Sequence, residues 1–400
     1  MYKVQSVLLR IIYLFLGLMI LYTINRLLFL LINKNEFDIN FLTASGLILF
    51  GWRFDISAIF MVNSIFFLLL TLPVPHGNKN YFKVVIKYLF LFSNSFFLLL
   101  NFIDIAYFPF VHKRLQKDAL LFINGKKGND IFQLLPVFIK QFWYLWLLFA
   151  VCVYLLFLLY KNYNSIRFNL NPGWKNYLGN FIFFLATTAF CILGIRGGFQ
   201  MKPLDTIYAS EVTDADKIPL LFNSTFTFFK SLDKHPLEEK IYFNDNQIGN
   251  CYQTVHQIKS DTAFTNENVV LIIVESLSRE YISYFNGKAP TPFLDSLFHH
   301  SLVFDNAFAN AKESVQGIPA VLASIPSWEN DAFIFSDYST NKITSIAGLL
   351  HQKNYTSAFY HGGGKGTMGF DAFAKLAGFD NYFSREDYNN EGDFDGEWGI

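Results

Sequence analysis

Trp143-Tyr-Leu-Trp-Leu-Leu-Phe-Ala-Val-Cys-Val-Tyr-Leu-Leu-Phe-Leu-Leu-Tyr160 runs eighteen residues without a charge. Hydrocarbon offers no partner to an open N–H or C=O, so a run of this length reads as a membrane-spanning helix. Four more runs surround it. They are Val7 to Ile32, interrupted by Asn25 and Arg26, then Ile56 to Leu72 ending at Pro73, Val84 to Phe102, and Tyr177 to Ile195. The first is too long for a cleaved signal peptide, lacks a small-residue cleavage site and is followed by further spans. Phe41 to Trp52 is apolar but short, and reads as an interfacial or re-entrant piece leading into the second span. Arg53 and Asp55 stand at that junction, either at headgroup level or as a buried Arg–Asp contact holding the bundle.

Composition agrees. Hydrophobic residues make up 52% and charged residues 16%, against roughly 25% charged in soluble chains. The bias stops near residue 200, after which Asp, Glu, Asn, Lys and Gly return. The chain therefore divides into a membrane domain over 1–200, a juxtamembrane connector over 201–265 and an α/β region over 266–400. Within the connector, Leu220 to Leu232 is amphipathic, and suits either a helix lying on the bilayer or an ordinary packed one. The 32 basic and 32 acidic side chains cancel, and no basic stripe with stacking aromatics suggests nucleic acid. Of three Cys, Cys152 and Cys191 sit in apolar runs and only Cys251 in the polar half, so no disulfide framework is encoded.

Lys and Arg in short loops set the topology. With the N-terminus cytoplasmic, Lys3, Arg10, Lys79, Lys83, Lys161, Arg167 and Lys175 lie inside, and the polar half lies outside. Lys113, Arg114, Lys117, Lys126 and Lys127 break the pattern. Either the topology is inverted, or this loop is a basic surface meeting anionic headgroups.

The polar half alternates strand and helix patterns. Asn268-Val-Val-Leu-Ile-Ile-Val274 is β-branched and continuous, as in a strand buried on both faces. It ends in Glu275, which either faces a ligand at a strand's carboxyl end or caps the next helix. Thr291-Pro292 opens a helix, Leu302 to Phe308 forms a second strand, and Ser314 precedes Gly317-Ile-Pro319 and a helical run to Ile325. A hydroxyl ahead of a helix N-terminus suits a nucleophile receiving a phosphoryl group, and equally an N-cap. A helix over Ile343 to Lys353 and a strand over Thr356 to Tyr360 lead to His361 and a glycine loop, Gly362 to Gly366. That loop is neither a P-loop nor a dinucleotide fingerprint.

Three blocks in this order after five spans, Asn268…Glu275-Ser276-Leu277, Ser314-Val-Gln-Gly317-Ile-Pro319 and Tyr360-His361-Gly362, resemble the lipoteichoic acid synthase-like family. These are membrane phosphoglycerol transferases within the alkaline phosphatase/sulfatase superfamily. The resemblance implies an N-terminal multipass helical membrane domain followed by an incomplete, alkaline phosphatase-like α/β domain with a mostly parallel sheet. It implies a divalent cation, manganese or else magnesium or zinc, that activates a hydroxyl to attack a phospholipid donor. A phospho-enzyme then passes the headgroup to a cell-envelope glycan or lipid acceptor. By resemblance Glu275 and Ser314 are metal ligands, Ser314 is also the nucleophile, and His361 contacts substrate. Lys312 is a further phosphate contact, or else a solvated loop charge.

Departures are visible. The family completes its metal site with an Asp-His pair, and no Asp-His dipeptide occurs here. The family's layout puts Ile400 in mid-domain, so the expectation is a fragment, inactive alone. Related transferases carry Trp and Arg where this chain reads Gly366-Thr-Met-Gly-Phe370. A formylglycine sulfatase would need Pro and Arg where Gln316 and Ile318 stand. A phosphoethanolamine transferase generally carries disulfides in its soluble domain. A non-enzymatic membrane scaffold, or a transporter with few polar span residues beyond Asn63, Ser64, Thr187 and Thr188, is the reading from another class.

Overall fold

In the computed structural model, the residues described are 2–72, 80–117, 139–161, 174–200, 202–235, 241–244, 247, 264–328 and 331–388. Five long helices come first: α1 (Tyr2–Ile32), α2 (Phe41–Thr71), α3 (Asn80–Val111), α4 (Trp143–Lys161) and α5 (Trp174–Arg196). Each is long and apolar enough to cross a membrane. Large side chains such as Leu31, Ile65, Phe92 and Phe190 point outward. In water that would be an aggregation surface; in lipid it is solvation. α2 lies centrally, packed against α1, α3 and α5, and α3 packs in turn on α4. Cys152 and Cys191 are free thiols buried in this bundle, and Cys251 lies outside the described residues.

The expected break between Phe41–Trp52 and the second span does not exist: α2 is continuous, with Asn40 accepting from the Thr43 N–H as its cap. The charges that suggested a boundary both find partners without one. Arg53 donates to the Gly197 carbonyl at 3.2 Å, while Asp55 turns inward. The partner of Asp55 is therefore Arg26 of α1 rather than Arg53. Gly51 makes room, since a Cβ there would stand 2.5 Å from the Arg26 guanidinium carbon.

Around this pair the connector returns to the bundle. Arg26 also donates to the Leu220 and Phe222 carbonyls, and the Asn223 amide donates to Asp55 at 2.7 Å. Alongside, Arg114 pairs with Asp104 at 2.6 Å and donates to the Pro219 and Phe222 carbonyls at 2.8 Å each. Lys117 donates to the Leu232 carbonyl at 2.9 Å. So Arg114 and Lys117, expected at a lipid-facing loop, bind the chain itself. Lys126 and Lys127 lie outside the described residues. Helix α6 (Ser224–Ser231) buries Ser224, Thr225 and Phe226 against α2 and α3. Of the two readings of Leu220 to Leu232, the packed helix is the observed one. Deeper in the bundle, Asn63 and Asn94 exchange reciprocal amide bonds at 3.0 and 2.7 Å.

The polar region is smaller. It comprises α7 (Pro292–His299), α8 (Ser314–Ala323), α9 (Ile346–His351), β1 (Ala358–Tyr360), α10 (Phe370–Leu376) and β2 (Asn381–Phe383). β1 and β2 are parallel, with Ala358 opposite Asn381, and α10 is the crossover that parallel pairing requires. The core holds Val315, Ile318 and Leu322 of α8, Phe370 and Phe373 of α10, Ile334, and Ile207 from the connector.

Two expected strands are absent. Residues 268–274 are extended but outside the sheet, with Val270 83% exposed. Leu302 to Phe308 is irregular and equally open. A run apolar on both faces becomes a buried strand only with paired neighbours and covered faces. Among the described residues the sheet is β1 and β2 alone.

Candidate active site

Helix α8 places Ser314 at its first position. Its N-cap is Glu313, in extended conformation and without a side-chain bond to the helix. The Ser314 hydroxyl is therefore not spent on capping. It is half-buried, and its Oγ points to the Met368 Sδ at 3.7 Å. Val315, Ile318 and Leu322 are buried beneath it, so the hydroxyl stands on a fixed turn.

Met368 belongs to the loop that follows β1, as does His361. The His361 N–H donates to the Phe383 carbonyl at 2.9 Å, and its Nδ1 lies 3.2 Å from the Tyr382 hydroxyl. The ring meets Phe370 edge-on at 5.0 Å. Gly363 leaves the ring its space, because a Cβ there would come within 2.6 Å of Cε1. Burial pushes the imidazole below its usual proton affinity, and the charges of Glu275 and Asp371 pull it partly back. The ring is therefore neutral near pH 7 and keeps one nitrogen free to accept a proton. The Lys365 N–H donates to Glu386 at 2.8 Å, and the Arg385 N–H to the Gly363 carbonyl at 3.1 Å, anchoring the glycine loop on β2's flank.

Glu275 sits exposed in the turn closing the 268–274 run, with the next residue, Ser276, at a left-handed φ of 59°. It lies within electrostatic reach of His361. Among the described residues no hydrogen bond joins it to Ser314. Lys312 is exposed two residues before Ser314. Thus the fold gathers Ser314, Met368 and His361 around one loop, brings Glu275 near the imidazole, and leaves Lys312 at the rim.

The implied cation can be tested against these residues. Glu275 and Ser314 offer two sites of attachment, whereas a hard divalent cation takes about six oxygens. No group of three or more His, Cys, Asp or Glu side chains suited to a metal occurs among the described residues. The described residues do not complete a cation site, and no chemical step is routed through one.

Sequence reasoning missed the second half of the neighbourhood. Asp371 is 8% exposed with an unpartnered carboxylate oxygen. Its charge reaches Tyr208, Glu211, His361 and Tyr382. Burial pushes the Tyr208 phenol up to about 12, and the Tyr208 hydroxyl donates to the Gly366 carbonyl at 3.5 Å. Glu211 is driven up to about 7 by desolvation and then by Asp371, with Arg53, Lys365 and Lys375 opposing. These residues span positions 53 to 382, and no local pattern links them. The one available signal was the aromatic pair Tyr382-Phe383 opposite Phe359-Tyr360 in the parallel pairing.

Residues 267–399 match the family model described as Sulfatase, so the chain carries a domain of that family behind its membrane helices. Over 129 residues it is also 30% identical to lipoteichoic acid synthase 2 of Bacillus subtilis (strain 168). That likeness covers 31% of this chain and 20% of the relative, so the chain spans about one fifth of the relative's length. The matched segment is thus similar both to the Sulfatase family and to a lipoteichoic acid synthase. No solved structure matches.

Proposed function

We propose that the protein, in a form whose cation site is complete, transfers a phosphoglycerol-type phospholipid headgroup on the extracytoplasmic face of the membrane, through a phospho-enzyme on Ser314. The Ser314 Oγ attacks the phosphorus of the lipid's phosphodiester. The bond from phosphorus to the diacylglycerol oxygen breaks, and diacylglycerol leaves as the alcohol, carrying the proton. A hydroxyl of a cell-envelope glycan or lipid then attacks the phosphoserine and regenerates Ser314. Neutral His361 suits contact with the phosphoryl oxygens or reception of the nucleophile's proton. In the family this chemistry uses a divalent cation, with Glu275 among its holders. Lys312 contributes a positive charge at the rim.

One observation carries the reading. Ser314 stands first on a helix anchored by buried residues, yet it caps nothing and faces the His361 loop. The bilayer-embedded half keeps that loop near lipid, with Arg53 of α2 and Lys365 of the loop acting on the same carboxyl of Glu211. The test is covalent trapping. Membranes carrying the protein are given lipid labelled in its headgroup phosphate together with manganese, then quenched in acid and digested. Label on the peptide containing Ser314, lost in Ser314→Ala, is the expected result. Headgroup release without label on that peptide refutes the Ser314 intermediate.

A further inference from the structure

Three arginines are buried in or beside the bundle, and they are not alike. Arg26 and Arg114 each face a carboxylate, Asp55 and Asp104. Arg10 of α1 is only 4% exposed, yet its Nε and Nη2 have no partner. Its guanidinium lies over the Tyr160 ring of α4, 4.8 Å from the centroid, and Tyr160 is itself buried. Two N–H groups held away from water without an acceptor are destabilising, the more so on a charged group.

Among the described residues no carboxylate pairs with Arg10. Arg10 and Tyr160 stand where α1 begins and α4 ends, the end of the bundle reached by the turns between α2 and α3 and between α4 and α5. The sequence contains no Asp or Glu in residues 1–35, 56–103 or 131–204. Among the described residues of the membrane half, the carboxylates Glu36, Asp38, Asp55 and Asp104 all lie away from the Arg10 end of their helices. The same end is rich in cations: Lys83 and Lys87 near the start of α3 and Lys161 at the end of α4 join Arg10. Lys87 extends over the Phe157 ring at 5.4 Å, so it too lies along α4.

A buried cation beside an aromatic ring, at the level of the lipid headgroups and with no internal counter-charge, calls for an external one. We propose that Arg10 is the core of a binding site for the phosphate of an anionic phospholipid, in the leaflet opposite the Ser314 side, between α1 and α4. The phosphate accepts from Nε and Nη2 as a bidentate partner. Lys87 is the second positive charge on the lipid's path, and the Tyr160 ring holds the guanidinium plane.

The full chain in nanodiscs tests this. Phosphatidylserine discs are compared with phosphatidylcholine discs, because serine lipid is anionic and is not the donor class proposed for Ser314. Wild type is expected to melt about 3 °C or more higher with the anionic lipid. Native mass spectra should retain one phosphatidylserine on the released protein. In Arg10→Gln both effects vanish, with lipid retention down about tenfold, while Arg10→Lys keeps part of each. Equal wild-type midpoints in the two lipids overturn the proposal, and that arm needs no variant to fold. So does unchanged lipid retention in Arg10→Gln. Inorganic phosphate, added to phosphatidylcholine discs, is expected to leave the midpoint unmoved; an equal rise with phosphate alone would assign the site to a soluble anion and overturn the lipid.

Discussion

The end of the helix bundle that receives the connector and the Ser314 neighbourhood both gather polar groups in a largely apolar chain, but they treat them differently. At that end, two arginines meet two aspartates and further guanidinium donors reach the carbonyls of Pro219, Leu220 and Phe222, leaving Arg26 Nε and one Asp55 oxygen without a partner. Around Ser314 the hydroxyl has only a thioether, and Asp371 keeps a free oxygen. Hydrocarbon around the first place makes unmet groups costly, and the chain meets most of them with its own carboxylates and backbone carbonyls. The second place borders water, where unmet groups are affordable and are what a substrate needs. The difference separates a hinge-free seat for the connector from a site that waits for a ligand.

The sharpest attack on this contrast is Ser314→Ala. In a form whose cation site is complete, loss of the hydroxyl should lower headgroup release by about 10³-fold or more, with the melting midpoint unchanged, measured on labelled lipid and by thermal scan. A stability loss without loss of turnover would make Ser314 a structural residue. On the other side, Asp55→Ala should destabilise by about 3–5 kcal/mol, because Arg26 is left buried without its carboxylate. Limited proteolysis should then cut the 218–231 segment, released from its seat. If that segment stays protected, the carbonyls alone hold it.

Smaller effects refine the picture. Asn94→Leu breaks the amide pair with Asn63 in mid-bundle, and about 1 kcal/mol should be lost in a denaturation series in detergent. The smallest effect concerns Glu211. Its carboxyl titrates near 7 in the folded chain, against about 4.5 when unfolded, so the native state binds the extra proton between those values. Stability from this group is therefore fullest below about pH 4.5 and declines as pH rises through about 7. Glu211→Gln should flatten that slope in midpoints recorded across the window. An unchanged slope would move the titration to another group.

Much of the membrane half is legible in residues alone. Helix length is dictated by lipid thickness, and a charge-free run such as Trp143 to Tyr160 leaves few alternatives. The ends of α2 and the partner of Asp55 were not legible, since pairing depends on which helix lies opposite. The helix starting at Ser314 and the strand before His361 were also readable from Gly, Pro and apolar spacing. The 268–274 run shows the limit. Its β-branched pattern states that it can be buried on both faces, and the structure leaves it exposed because no strand pairs with it among the described residues.

By itself the sequence determined that this chain holds five runs long and apolar enough to cross a bilayer, a segment matching the Sulfatase family model behind them, and no Asp or Glu in residues 1–35, 56–103 or 131–204. Those facts follow from composition and spacing, which need no partner to be read. The tertiary structure alone decided that Arg26 answers Asp55, that Met368 faces Ser314, that Asp371 lies beside His361, and that Arg10 is buried unpaired. Each joins residues far apart in sequence, and only packing sets which distant side chains share a space of a few ångströms.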